Sequence, residues 1–204
     1  GGLSPDNTTA ENNTTIYAIS ESPHDAAVVW VGSDDGLVHV TKDGGKQWDR
    51  VSENEASLPQ GSWVSSVQAS PHDVSTAFVT FDSHRSGDMT PYVYRVDQFG
   101  AKWVPLATEG IEGYAWVIKQ DPVNADLLFL GTEFGLYISL DGGNSWARFK
   151  ENLPKVAVHD MAIHPTQHDL ILATHGRGIY IIDDLTPMPA LTPEVMQSKV
   201  AILP

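Results

Sequence analysis

Residues 41–48 read Thr41-Lys42-Asp43-Gly44-Gly45-Lys46-Gln47-Trp48, and residues 139–146 read Ser139-Leu140-Asp141-Gly142-Gly143-Asn144-Ser145-Trp146. Both fit the pattern Ser/Thr-x-Asp-x-Gly-x-x-Trp. The first six positions have the chemistry of a tight turn: an Asp side chain accepts from turn amides, Gly tolerates positive φ, and the Ser or Thr hydroxyl adds a contact. The tryptophan is predicted to wedge between neighbouring sheets. That removes on the order of 200 Å² from water, roughly 5 kcal/mol gross as an upper bound. The carboxylate contacts add about 1.5–3 kcal/mol. Indole burial therefore outweighs the Asp turn, and Thr41, Asp43, Gly45, Trp48, Ser139, Asp141, Gly143 and Trp146 read as structural residues.

The surroundings of these turns repeat. Ile16-Tyr-Ala-Ile-Ser-Glu-Ser-Pro23-His-Asp recurs as Val67-Gln-Ala-Ser-Pro71-His-Asp, as Ile118-Lys-Gln-Asp-Pro122-Val-Asn and as Met161-Ala-Ile-His-Pro165-Thr-Gln, with prolines 48, 51 and 43 residues apart. After each come two further short apolar runs, and in three copies a tryptophan (Trp48, Trp103, Trp146) opens a fourth. The runs are rich in Val, Ile, Tyr, Trp and Leu and bounded by Gly, Pro, Asn or Asp, with almost no helical period, which is the strand-and-turn signature. Four short antiparallel strands at this spacing are a propeller blade, and a lone blade cannot bury both faces. The expected fold is all-β: a β-propeller of about four four-stranded antiparallel blades at 15–62, 63–112, 113–156 and 157–186. A flexible segment precedes them at 1–14, and a linker with a candidate closing strand, Lys199 to Leu203, occupies 187–204.

Composition narrows the function. The 204 residues include no cysteine and carry a net charge of −14 with 41% hydrophobic residues. That hydrophobic share supports a cored domain, and the acidity argues against nucleic acid or anionic bilayers as partners. Without cysteine there is no disulfide framework, thiolate zinc site or cysteine nucleophile. The longest apolar runs, at 127–130 and 179–182, fall far short of the roughly 20 residues of a membrane span. The amino terminus has neither the basic start nor the apolar stretch of a secretory signal, so such a signal is expected to have been removed or to lie elsewhere.

Through Trp30-Val-Gly-Ser-Asp-Asp-Gly-Leu-Val, the run from Leu130 to Gly143, and Thr174-His-Gly-Arg-Gly-Ile-Tyr-Ile-Ile-Asp-Asp-Leu-Thr-Pro, residues 15–204 resemble the Asp-box (BNR) repeat propellers, which include sialidases and sortilin-like receptors. The sequence is most similar to bacterial sortilin-like proteins of this type. The resemblance implies the last blades of a larger propeller and an exported location, whether periplasmic, cell-surface or extracellular. Two copies depart from the pattern: Gln98 stands where the motif has Asp, and the fourth copy lacks the motif. Those turns are expected to be looser or completed by another segment. An open end would expose an apolar blade face. The expectation is therefore a carboxy-terminal part of a six- to eight-bladed ring, with the remaining blades on another segment or chain.

Aligning Gly32-Ser-Asp34, Thr80-Phe-Asp82, Gly131-Thr-Glu133 and Ala173-Thr-His175 sets Asp34, Asp82, Glu133 and His175 at one position in successive blades, lining one rim of the channel. The second copy adds a loop carrying His84, Arg85 and Asp88, and the fourth adds Arg177. Polar loops on a rigid scaffold are where binding residues concentrate. Asp34, Asp82, His84, Arg85, Glu133, His175 and Arg177 are thus the ligand-binding candidates, with Asp82 and Glu133 the candidate acid/base pair. No cofactor is implied, although such carboxylates could hold a divalent cation such as calcium. His24-Asp25 and His72-Asp73 read as turn residues rather than metal ligands. Trp63 and Trp116 begin inner strands in what reads as equivalent positions and, with Tyr92 and Tyr114, are the aromatic candidates. Two classes stay open: a non-catalytic scaffold binding a protein or glycan, which is favoured, and a glycoside hydrolase resembling Asp-box xyloglucanases or sialidases. Sialidase chemistry needs an arginine cluster, and the five arginines at 50, 85, 95, 148 and 177 are dispersed in sequence.

Overall fold

Each apolar run becomes one strand, because alternate β-branched and aromatic side chains can be buried against a neighbouring sheet only in extended backbone. The computed structural model describes residues 15–55, 57–59 and 61–191. The first blade is β1 (Ile16–Glu21), β2 (Val29–Ser33), β3 (Val38–Thr41) and β4 (Asp49–Arg50). The second is β5 (Trp63–Ala69), β6 (Ala77–Asp82), β7 (Tyr92–Asp97) and β8 (Lys102–Pro105). The third is β9 (Ala115–Gln120), β10 (Leu128–Thr132), β11 (Gly135–Ser139) and β12 (Ala147–Arg148), and the fourth is β13 (Val158–Ile163), β14 (Leu170–Thr174) and β15 (Ile179–Ile182). All are up-and-down antiparallel meanders, stacked in sequence order around the inner strands β1, β5, β9 and β13. The fold is a β-propeller. Among the described residues the fourth blade has three strands. The segment 1–14 and the expected closing strand at 199–203 lie outside them.

Three separate cores hold the blades together. Trp30, Val38 and Val40 of the first blade pack on Val67, Val79, Tyr94 and Trp103 of the second. Phe78 and Val93 of the second meet Ile118, Leu128 and Leu130 of the third, with Trp146 against them. Phe129 and Leu136 of the third meet Met161, Leu170 and Leu172 of the fourth. Near the axis the blades lie too close for a side chain on one of them: a Cβ at Gly32 would overlap Val64, and one at Gly131 would lie 2.8 Å from the Val158 carbonyl oxygen. In the second blade Thr80 fills this position and donates its hydroxyl to the Trp116 carbonyl, 3.1 Å away.

The two motif turns fold as their chemistry requires. The Thr41 hydroxyl donates to Asp43 Oδ1, which accepts the amides of Lys46 and Gln47. Ser139, Asp141 and Ser145 repeat the arrangement. Amide donation from Gln47, set against a little burial and aided by the Thr41 hydroxyl, holds Asp43 below the usual carboxylate range. In the second blade, where Gln98 replaces Asp, the bond to the neighbouring hairpin is the one the other two turns make: the Phe99 amide donates to the Ser75 carbonyl as Gly44 does to Ala27 and Gly142 to Asp126, and what differs is that Gln98 also takes positive φ. The tryptophans differ from expectation in one case. Trp103 is 8% exposed and donates its indole N–H to the Val51 carbonyl of the first blade, whereas Trp48 is 43% exposed. It lies on the face of the first blade that no described blade covers.

At the proline-turn end, Asp121 joins three blades. Its side chain is fully buried and accepts the Val123 and Asn124 amides on Oδ2 and the His168 ring on Oδ1 at 2.6 Å, while His72 donates to its carbonyl at 2.7 Å. Asp25 and Asp73 accept turn amides as expected. The reach of His72 into the third blade is a role that the repeat pattern does not reveal.

Candidate functional site

Because the strands alternate in direction, the β2–β3, β6–β7, β10–β11 and β14–β15 connections all emerge at the end opposite the motif turns. The ladders put Trp63 opposite Asp82, and Glu133 and His175 donate their amides to the Tyr114 and Ala157 carbonyls just ahead of β9 and β13. Asp34 donates its amide likewise to the Thr15 carbonyl. The four aligned positions therefore share one register on one rim.

Every inner strand carries a bulge there. The pairing shifts at Tyr17, Ser65, Trp116 and His159, each the extra residue opposite the second strand. A bulge turns its side chain out of the ladder and is common beside functional sites. The register also corrects the expected equivalence of Trp63 and Trp116: Trp63 matches Tyr114, and the bulge position of Trp116 is held by Ser65 in the second blade. The two tryptophans fall at different heights because the bulge residue looks like one more strand residue in the sequence.

The rings of the rim form a row. Tyr17 lies 5.3 Å from Trp63, and the Arg85 guanidinium stacks over Trp63 at 3.5 Å. His84 stacks on Tyr114 at 4.5 Å, Trp116 on His159 at 4.4 Å, and His159 lies 5.0 Å from His175. The last part of this row floors an open depression of about 560 Å³ walled by Arg85, Glu133, Phe134, Lys155 and Arg177. His84 and Arg85 reach it on a short 3-10 turn, His84–Ser86, which Gly87 ends at positive φ.

The predicted residues separate into two groups. His84, Arg85, Glu133, His175 and Arg177 converge on the depression. Asp34 instead accepts the Thr15 amide on the first blade. Asp82 sits behind the site: it is 4% exposed and accepts both the His84 amide and the His84 ring N–H, the latter at 2.6 Å. It orients an imidazole rather than facing a ligand. Tyr92 is also apart, donating its hydroxyl to Asp88 at 2.8 Å. Glu133 has one carboxylate oxygen, Oε2, buried without a hydrogen-bond partner. Lys155 spans Glu112 at 2.7 Å and the Phe134 ring at 4.5 Å. Among the described residues no acidic side chain pairs with Arg85 or Arg177, and no group of three or more His, Asp or Glu side chains is placed to hold a metal ion.

Sequence reasoning missed Lys155 and His159. Aligning the bulge positions would have revealed His159, since it follows the first residue of β13 as Trp116 follows that of β9. Burial, then the neighbouring His175, pushes the His159 pKa down, so the ring is neutral near pH 7. Burial, then the Asp82 and Glu133 charges, pushes the Tyr114 phenol up to about 12, so it stays protonated.

No protein-family model matches the chain, and no curated protein sequence matches it. Solved structures do. The GH74 enzyme of Niastella koreensis superposes with a TM-score of 0.65 at 14% identity, over 82% of this chain and 28% of that one. YCF48 bound to D1 peptide gives 0.61 at 15% identity, over 84% and 50%. The GH74 xyloglucanase from Xanthomonas campestris gives 0.62 at 16% identity, over 82% and 29%. At these identities the likeness concerns the propeller fold alone, and the chain spans half or less of each of these proteins. No helix among the described residues is long and apolar enough to cross a membrane.

Proposed function

We propose that this chain is a non-catalytic propeller scaffold that binds an acidic segment of a protein partner in the rim depression. The observation that carries the reading is the charge of that depression. In a chain of net charge −14, it gathers Arg85 and Arg177, which no described acidic side chain pairs, and Lys155, which Glu112 pairs at 2.7 Å, around a single lining carboxylate, Glu133. Salt screens charges beyond about 8 Å at physiological ionic strength, so a ligand seated there responds to this local excess rather than to the acidic remainder. The stacked rings supply a rigid floor. One face of Tyr114 is covered by His84 and one of Trp116 by His159. Asp82, fixed by His84, is poorly placed to exchange a proton with a substrate. That a structural neighbour, YCF48, was solved with a peptide is consistent with this use of the fold.

The second reading, glycoside hydrolysis, has one observation in its favour: the buried Glu133 oxygen without a partner, on a fold shared with GH74 enzymes. Membership in the Asp-box propellers, a ring of six to eight blades and an exported location belong to the same proposal and rest on the motif turns and the resemblance. A peptide array spanning acidic, neutral and basic sequences, run beside a reducing-sugar assay on xyloglucan, tests it. Acidic peptides should be retained, and the double variant Arg85→Ala/Arg177→Ala should lose most of that binding. Sugar release abolished by Glu133→Gln would overturn the scaffold reading in favour of the hydrolase.

A further inference from the structure

The four blades allow an internal comparison. Ile19, Val67, Ile118 and Met161 occupy one register position, each facing the blade that precedes its own. Val67, Ile118 and Met161 are 5%, 0% and 3% exposed, whereas Ile19 is 69% exposed. Trp48 and Trp103 differ in the same sense, and Ile16, Val31, Leu37 and His39 complete an apolar hollow of about 380 Å³ around Trp48.

Two of the three occupied junctions show what the turn on such a face receives. Past the outer strand of the preceding blade, an apolar side chain seats on the second motif glycine: Val51 against Gly100, and Leu106 at 2.7 Å from a Cβ built on Gly143. A nearby N–H donates to that glycine's carbonyl, from Asn54 Nδ2 to Gly100 at 2.9 Å and from the Ala107 amide to Gly143 at 3.0 Å. At Gly45 a Cβ would meet only the chain's own Trp48 ring.

We infer that the open face of the first blade is a blade-to-blade interface whose occupant is a four-stranded sheet of the same repeat, encoded ahead of residue 15 in the same polypeptide. This rests on the larger-ring reading and is independent of what the rim binds. The direction follows from reading these as the carboxy-terminal blades of that ring, since Trp103 and Trp146 each dock on the blade that precedes them in sequence. The occupant presents a β-branched residue or leucine just past its outer strand to seat on Gly45, with an N–H for the Gly45 carbonyl. A second copy of this chain does not fit this signature, because its fourth blade has no outer strand among the described residues and its exposed face is set by Ile179 and Ile181.

Hydroxyl-radical footprinting with mass-spectrometric readout, on this chain and on the natural full-length polypeptide, tests the inference. In this chain Trp48 should oxidise severalfold faster than Trp103, and in the full polypeptide its rate should fall to that of Trp103. Hydrogen exchange of the β15 edge, measured on the same samples, reports ring completion separately. Protection of β15 with Trp48 still reactive would overturn the inference and leave the larger ring standing; protection of neither would overturn both. A dimer of this chain by light scattering, in which Trp48 is shielded and which Trp48→Ala dissociates, would assign the face to a second copy and also overturn it.

Discussion

The pair Trp103→Ala and Trp48→Ala measures whether the inter-blade indole is the principal fastener. Trp103 is 8% exposed, packs between blades and donates to the Val51 carbonyl at 3.1 Å. Removing it forfeits transfer energy, opens a cavity within the core of the first two blades and leaves a buried carbonyl short of a donor. Together these predict a loss of about 3–5 kcal/mol. Trp48 holds the equivalent place after a turn that has Asp43 where the second blade has Gln98, but its far side meets solvent, so truncation leaves no enclosed cavity and about 1–2 kcal/mol is at stake. For a domain of this size the difference corresponds to a gap of roughly 5–10 °C in Tm, at about 2–4 °C per kcal/mol. Urea titration followed by circular dichroism reads both variants, and their slopes against denaturant check that one cooperative transition is being compared. Equal losses would refute the reasoning, because they would mean that enclosure between two blades adds nothing to what the indole contributes.

Three further outcomes follow from the same contacts. Gly143→Ala should cost more than Gly44→Ala: both glycines hold positive φ, but only at Gly143 would the methyl run into Leu106, so differential scanning calorimetry should separate them by about 1–2 kcal/mol beyond the shared strain. Asp121→Ala removes the acceptor for His168 and for two turn amides in a fully buried site, and about 3–5 kcal/mol of stability by chemical denaturation is expected to go with it. The third concerns pH. The folded chain holds the His159 proton less readily than the unfolded chain, with its ordinary value of 6.5, so this residue's share of stability is present above that pH and lost as pH falls from there through the lower folded value. His159→Phe should therefore narrow the Tm difference between pH 7.5 and pH 5.5, and an unchanged difference would remove His159 from the account.

How far the sequence could be read depended on whether a residue acts within its own repeat. The blades and both Asp turns were legible because strand period and turn chemistry are local: Thr41 and Asp43 meet two positions apart, as do Ser139 and Asp141. The shared register of Asp34, Asp82, Glu133 and His175 was legible for the same reason, since hairpin pairing fixes it. What escaped depends on contacts between blades or on a one-residue slip. His72 and His168 reach Asp121 across 49 and 47 residues, and nothing in their own turns marks them. Asp82 is the instructive case. Its position on the rim was foreseen, but His84, two residues on, folds back on a 3-10 turn and takes its carboxylate, so the candidate acid became the orienting partner of an imidazole.

The bulges explain why one scaffold can place such different chemistry on one rim. Near the start of each inner strand one residue is freed from pairing, and in the four blades it is Tyr17, Ser65, Trp116 and His159. The ladder residues on either side are constrained. Val64, Val117 and Val158 are almost wholly buried, and glycines face Val64 and Val158 across the blade junctions. A substitution there would shift a whole blade, whereas a change at Trp116 or His159 alters what the depression presents. His159→Ala should accordingly change ligand preference on a peptide array while moving Tm far less than Trp103→Ala does. A loss of stability comparable to that of Trp103→Ala would show instead that the rim row is part of what holds the ring together.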